Sequence, residues 1–238
     1  MASTEILCLA NSKKYGGRCL AGLRWPDLQA WIRPVDPTRE HGEVPSNRAQ
    51  VNSPEGRRFI RPLDVINVDL IEAAPKPAQP ENWILGSSPI TLVQTLDIAE
   101  VASRLRSAAD TATSVFDLDG GREVPRSVWE RGLTKSIALY EVQEPLFKRF
   151  ERDDSSAWKV KFQYGSCLNR YFPVSDDLGV SKRLHRSSKS AVRGSGRWFL
   201  TISLTEPFLD AHSRWLTVAV AIQSEPEMPP PTPEEEPF

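Results

Sequence analysis

Residues 5–23 read EILCLANSKKYGGRCLAGL. Two short apolar stretches, EILCLAN (5–11) and GRCLAGL (17–23), flank SKKYG, whose polar residues and glycines suit a tight reversal. The pattern predicts an antiparallel pair of strands at the head of a β-rich chain. Working outward, AWIRPV (30–35) predicts a third strand, stopped by Pro34 and Pro37 because proline cannot donate to a ladder. LDVINVDLI (63–71) alternates as a fourth strand, and NWIL (82–85) supplies a fifth. Between them, 36–61 is polar, with five arginines (39, 48, 57, 58, 61), and is too long for an ordinary connection; it predicts an irregular loop, functional or disordered.

A second run of strands begins at SIALYEV (136–142). WKVKFQY (158–164) is the cleanest alternation, placing Trp158, Val160, Phe162 and Tyr164 on one face and Lys159, Lys161 and Gln163 on the other. RYFPV (170–174) is its expected hairpin partner, and RWFLTISL (197–204) and RWLTVAVAI (214–222) complete the run. Between the runs, Ile98, Val101, Ala102 and Leu105 recur at helical spacing within 95–110, with Thr95 or Asp97 as the cap; a short second helix is expected at 126–132. About five strands per half, punctuated by turns, suit two small barrels better than one sandwich.

Charge is divided unevenly. Residues 225–238 hold five of the 31 acidic groups and no Lys or Arg, which leaves 30 basic against 26 acidic groups in 1–224. Three cysteines without CxxC spacing and three scattered histidines support neither a disulfide framework nor a zinc site. Cys8 and Cys19 either face each other on neighbouring strands or are small buried thiols, the second being the expectation. ILCLA is too short for a secretory core, and LTVAVAI (216–222) falls far short of a membrane span. A cytoplasmic protein without membrane contact is expected.

LCLANSKKYGGRCLAGL, WIRPV, PLDVINVDL and PENW resemble the first half of the dual OB-fold family of bacterial proteins. FQYGSCLNRYFPVSD, LTISLTEPF and LTVAVAI are similar to its second half, so the resemblance spans about 4–224. It implies two tandem OB barrels, and with the helical pattern between the runs and the polar, proline-rich end the expectation is a mainly β chain with minor α: a first OB-like barrel at 1–86, a helical connecting segment at 87–135, a second barrel at 136–224 and a disordered tail at 225–238. It also implies nucleic-acid binding and association with bacterial defence or DNA metabolism, and it supplies no catalytic residues.

No GxSxG, HExxH, Walker A or GxGxxG is present, and Asp117 and Asp119 read as a solvated turn, so neither catalysis nor a cofactor nor a metal is expected. The sharpest candidate for binding is SKRLHRSSKSAVRGSGR (181–197). Lys182, Arg183, Arg186, Lys189, Arg193 and Arg197 lie there without an acid, and Gly194 and Gly196 are expected to keep the backbone mobile. Such a segment attracts phosphates and releases their counterions. Lys159 and Lys161 join it from the solvent face of their strand, and Arg57 and Arg58 from the 36–61 loop. Trp31 and Arg33 share a strand face that is either an exposed contact surface or part of the fold. The nucleic acid's type is left open, and a protein-interaction or small-ligand adaptor is the alternative, because an OB fold hosts both. The closing Glu234, Glu235, Glu236, Pro237 and Phe238 resemble the partner-recruiting tip of bacterial single-stranded DNA-binding proteins; a solvated tail, or one folded back on the basic loop, are the other expectations.

Overall fold

The computed structural model describes residues 2–111, 123–152, 155–165, 171–178, 184, 189–205 and 213–224. β1 (Ala2–Lys14) and β2 (Gly17–Arg24) form the expected hairpin, in register from Ile6–Arg24 to Lys14–Gly17 with a bulge between Cys8 and Ala10. Every residue from Ile6 to Ser12 is buried, which accounts for the missing alternation in EILCLA. Ile6 and Cys8 join one core cluster with Leu20, Ile32, Ile66 and Val68, while Leu7 and Leu9 pack with Leu139 and Phe199 of the second half. Cys8 opposes Gly22 and Cys19 opposes Ser12, so the two thiols do not face each other. Burial pushes the Cys8 thiol far above its usual range.

The first barrel closes through β3 (Trp31–Val35), β7 (Asp64–Ala73) and β8 (Asn82–Leu85). Its ring runs β1-β2-β3-β8-β7 and back to β1, with β3 and β8 parallel and the other pairs antiparallel. β1 reaches both neighbours by pairing with β7 over Ala2–Leu7 and with β2 over Ile6–Lys14. Gly22 permits that bend: a Cβ there would lie 2.2 Å from the Leu7 carbonyl oxygen.

The 36–61 segment is not the irregular loop expected. It contains β4 (Val44–Pro45), paired with β2, and a hairpin of β5 (Gln50–Ser53) and β6 (Gly56–Phe59). Val44, Ala49, Val51 and Ile60 are buried against the barrel core. Four apolar anchors spread through arginines, glycines and prolines give no periodic signal, yet each removes enough apolar area from water to hold its turn.

β9 (Thr91–Thr95) pairs with β7 and extends the first sheet beyond residue 86. α1 (Ile98–Ala108) starts at Asp97, whose carboxylate accepts from Ala99 N at 2.8 Å while Glu100 accepts from Asp97 N at 2.8 Å. Its buried Val101 and Leu105 cover the cluster shared by the two halves. β10 (Glu123–Pro125) then pairs with the last strand, and α2 (Arg126–Trp129) is a single turn. The expected separate connecting segment is thus divided: its first part belongs to the first sheet and its last to the second half.

In that half β11 (Ile137–Gln143), β16 (Arg197–Leu204), β17 (Ser213–Gln223) and β10 make one sheet. β12 (Leu146–Arg152), β13 (Ser155–Lys161), β14 (Tyr171–Pro173) and β15 (Ala191–Arg193) make the other. Tyr140, Phe147, Trp158, Phe172, Trp198 and Leu200 fill the space between them. A parallel bridge from Val174 to Val218 and the bond from Ser175 N to Val218 O (2.9 Å) connect the sheets. Phe199 and Leu139 turn the other way, onto Leu7 and Leu9. Polar ties reinforce the contact between halves: the Arg18 guanidinium, 2% exposed, donates to both Asp177 oxygens at 2.7 and 2.8 Å, and Ser136 Oγ donates to Glu81 at 2.8 Å.

Candidate nucleic-acid interface

β12 and β13 alternate strictly. Phe147, Trp158, Val160 and, on β14, Phe172 point into the core. The cross-strand register therefore puts Leu146, Lys148 and Phe150, Ala157, Lys159 and Lys161, Tyr171 and Pro173, and Ala191 and Arg193 on the opposite, outward face. None of these residues is acidic. Lys148 and Arg193 are exposed, and the lysines at 159 and 161 and the two rings are half-buried.

Phe150 and Tyr171 meet edge to face at 5.1 Å between centroids. Lys159 Nζ lies 4.6 Å and Lys148 Nζ 5.5 Å from the Phe150 centroid, and Lys161 Nζ is 6.0 Å from that of Tyr171. Lys148 and Lys159 are directly opposed across the ladder. Like charges in that position repel each other, and both ammonium groups lie beside the Phe150 ring. A ring between two cations offers a flat surface to a base and ammonium groups to the phosphates on either side.

Of the residues singled out from the sequence, Lys159, Lys161 and Arg193 converge on this face. Lys189 is exposed just ahead of β15, where Ser190 O accepts from Arg149 N at 2.8 Å. Arg197, at the start of β16, approaches Glu141 at 3.9 Å, and Arg106 binds the same carboxylate at 2.9 Å, so the basic segment is not without an acid. Gly194 is not a hinge: a Cβ there would lie 2.6 Å from Trp198 Nε1, and the residue makes room for that indole. Lys182, Arg183 and Arg186 lie outside the described residues, as do Glu234, Glu235, Glu236, Pro237 and Phe238, and Asp117 and Asp119.

The first-barrel candidates fall elsewhere. Arg33 is 3% exposed and donates to Ser203 Oγ at 3.4 Å; it is packed between the halves, which removes it from any solvent-facing site. Arg58 donates to both oxygens of the buried Asp64 at 2.6 and 2.9 Å, and that bond holds its guanidinium pKa above the usual value; it belongs to the barrel's own structure. Arg57 is exposed and donates to Asn47 O at 2.8 Å. Sequence reasoning missed Lys148, Phe150 and Tyr171. The LFKRFER strand is dense in charge, and its alternation of Leu146, Lys148 and Phe150 is the signal that would have found it.

Among the described residues no helix is long and apolar enough to cross a membrane, and no group of three His, Cys, Asp or Glu side chains converges as a metal site. A closed five-strand barrel followed by a second β-rich unit with a solvent-facing sheet defines a tandem OB-type protein. The family described as the dual OB-containing domain matches residues 4–220, and the chain belongs to it. No curated protein and no solved structure matches the chain.

Proposed function

We propose that this protein is a non-enzymatic nucleic-acid-binding module, acting in bacterial defence or DNA metabolism, whose second half contacts phosphates through Lys148, Lys159, Lys161 and Arg193 and stacks bases on Phe150 and Tyr171. The observation that carries the reading is the opposition of Lys148 and Lys159 around the Phe150 ring, on a face with no acid at the described outward positions. Two like charges facing each other across a ladder are stabilised by a polyanion, and rings beside them favour unpaired bases. Stacking and phosphate contact are both tolerant of sequence, so little base preference is expected from this face.

The test is fluorescence anisotropy of the full chain with single- and double-stranded DNA and RNA of equal length at two salt concentrations. Single strands should bind more tightly than duplexes, and affinity should fall steeply with salt. Affinity that is insensitive to salt would instead favour a protein-interaction role. Incubation of the same oligonucleotides, or of nucleoside triphosphates, with divalent metal should give no turnover.

A further inference from the structure

We propose that a cleft in the first barrel, between the 35–42 turn and the 74–84 segment, binds a heterocycle bearing an exocyclic amino group, of the kind adenine, cytosine and guanine carry. The site is separate from the lysine-rich face and does not rest on the function assigned to that face. The cleft measures about 620 Å³, a size that accommodates a nucleotide. Its most deeply buried lining residues are polar: Asn82 is 1% exposed, and Gln79 and Asp36 are also buried.

Asn82 Nδ2 donates to Gln79 Oε1 at 3.2 Å, which sets the orientation of the amide. Its Oδ1 is buried and has no hydrogen-bond partner. An orphaned buried carbonyl oxygen is unfavourable unless a donor reaches it, and a ligand amino group is such a donor. Asp36 supplies a second acceptor in the lining. Burial opposes its charge, but donation from Thr38 Oγ1 (2.7 Å) and Thr38 N (2.9 Å), with Arg48 and Arg39 nearby, holds its carboxyl below the usual range. Two acceptors select for donor-bearing ligand edges and disfavour a uracil-like edge that presents carbonyl oxygens.

Part of the remaining lining suits a nucleotide, although the exposed Glu40 also lines the cleft. The His41 imidazole is fixed by stacking on Tyr15, with centroids 3.8 Å apart and planes 24° apart, which places a flat ring in the wall. Arg39 and Lys76 are exposed lining residues that can meet a phosphate.

Isothermal titration of the full chain with adenosine, cytidine, guanosine and uridine monophosphates tests this. At least one amino-bearing nucleotide should bind about tenfold or more tightly than uridine monophosphate, the discrimination one buried hydrogen bond supplies. Asn82→Leu should abolish the preference; because Asn82 is buried, the exposed Arg39→Ala provides a second measurement, weakening monophosphates but not the corresponding nucleosides. A twelve-residue oligoadenylate added in competition identifies the source: displacement assigns the base to a strand and no displacement to a free nucleotide, and either result upholds the site. Absence of binding by all four at millimolar concentration, or equal binding of uridine monophosphate, overturns it. So does loss of nucleotide binding in a Lys148→Gln, Lys159→Gln, Lys161→Gln variant, which would place the ligand on the other face.

Discussion

Replacing Lys148, Lys159 and Lys161 together by Gln separates the electrostatic part of the proposed binding face from its rings. The face carries four cations at outward register positions, the fourth being Arg193. If each neutralises one phosphate of a single strand, the slope of log affinity against log salt is about −2.8, at roughly −0.7 per contact. Raising salt from about 50 to about 200 mM then weakens the wild-type protein by roughly 50-fold. The triple variant keeps one cation, so its slope falls to about −0.7 and the same change in salt costs it only about threefold. Phe150→Ala should behave differently, losing about 1–3 kcal/mol at every salt concentration with the slope unchanged, because stacking releases no counterions. The assay is anisotropy of a labelled single strand across a salt series, with thermal melts as the control for folding. Melting should be unchanged or slightly raised, since the variant relieves the opposition of Lys148 and Lys159. A triple variant with the wild-type slope would refute the placement of phosphates on this face.

Other perturbations probe the frame around the site. Asp177→Ala leaves the Arg18 guanidinium, 2% exposed, without its carboxylate and should cost about 3 kcal/mol in urea unfolding, the low end for a buried pair because Asp177 itself is 30% exposed; a cost below about 1 kcal/mol would show that Asn11 and the Phe59 ring satisfy Arg18 alone. Thr38→Val removes one donor to Asp36 and should cost about 1 kcal/mol at neutral pH. Asp36 has a depressed folded-state pKa, so its stabilisation is present above the unfolded value near about 4 and is lost as pH falls through the folded value; the variant and wild-type curves should therefore converge on acidification, and a gap that persists at pH 2 would assign the loss to packing. Gly194→Ala forces a Cβ against Trp198 and should destabilise by about 1–3 kcal/mol while weakening nucleic-acid binding through displacement of Arg193, a coupling that binding and melting measured on one sample would reveal or exclude. Deletion of 225–238 removes five glutamates and should strengthen binding to single strands severalfold at low salt and not at high salt, whereas unchanged low-salt affinity would show that the segment does not compete for the face.

The sequence by itself determined the strands whose side chains have one dominant environment. The hairpin at 5–23, the alternation at 158–161, the helix within 95–110, and the solvent side of Lys159 and Lys161 follow from local periodicity, which does not depend on distant residues. Only the tertiary structure decided the rest. Leu7 and Leu9 bury a second strand face because another half packs on it, so no alternation marks their role. Arg33 and Arg58 look like contact residues in and beside an arginine-rich segment, but long-range packing commits one to Ser203 and the other to Asp64. Lys148, Phe150, Tyr171 and Arg193 come from strands separated by up to 45 positions, and it is cross-strand register that makes one surface of them. Periodicity gives each side chain a face; only the pairing of strands says which faces are shared.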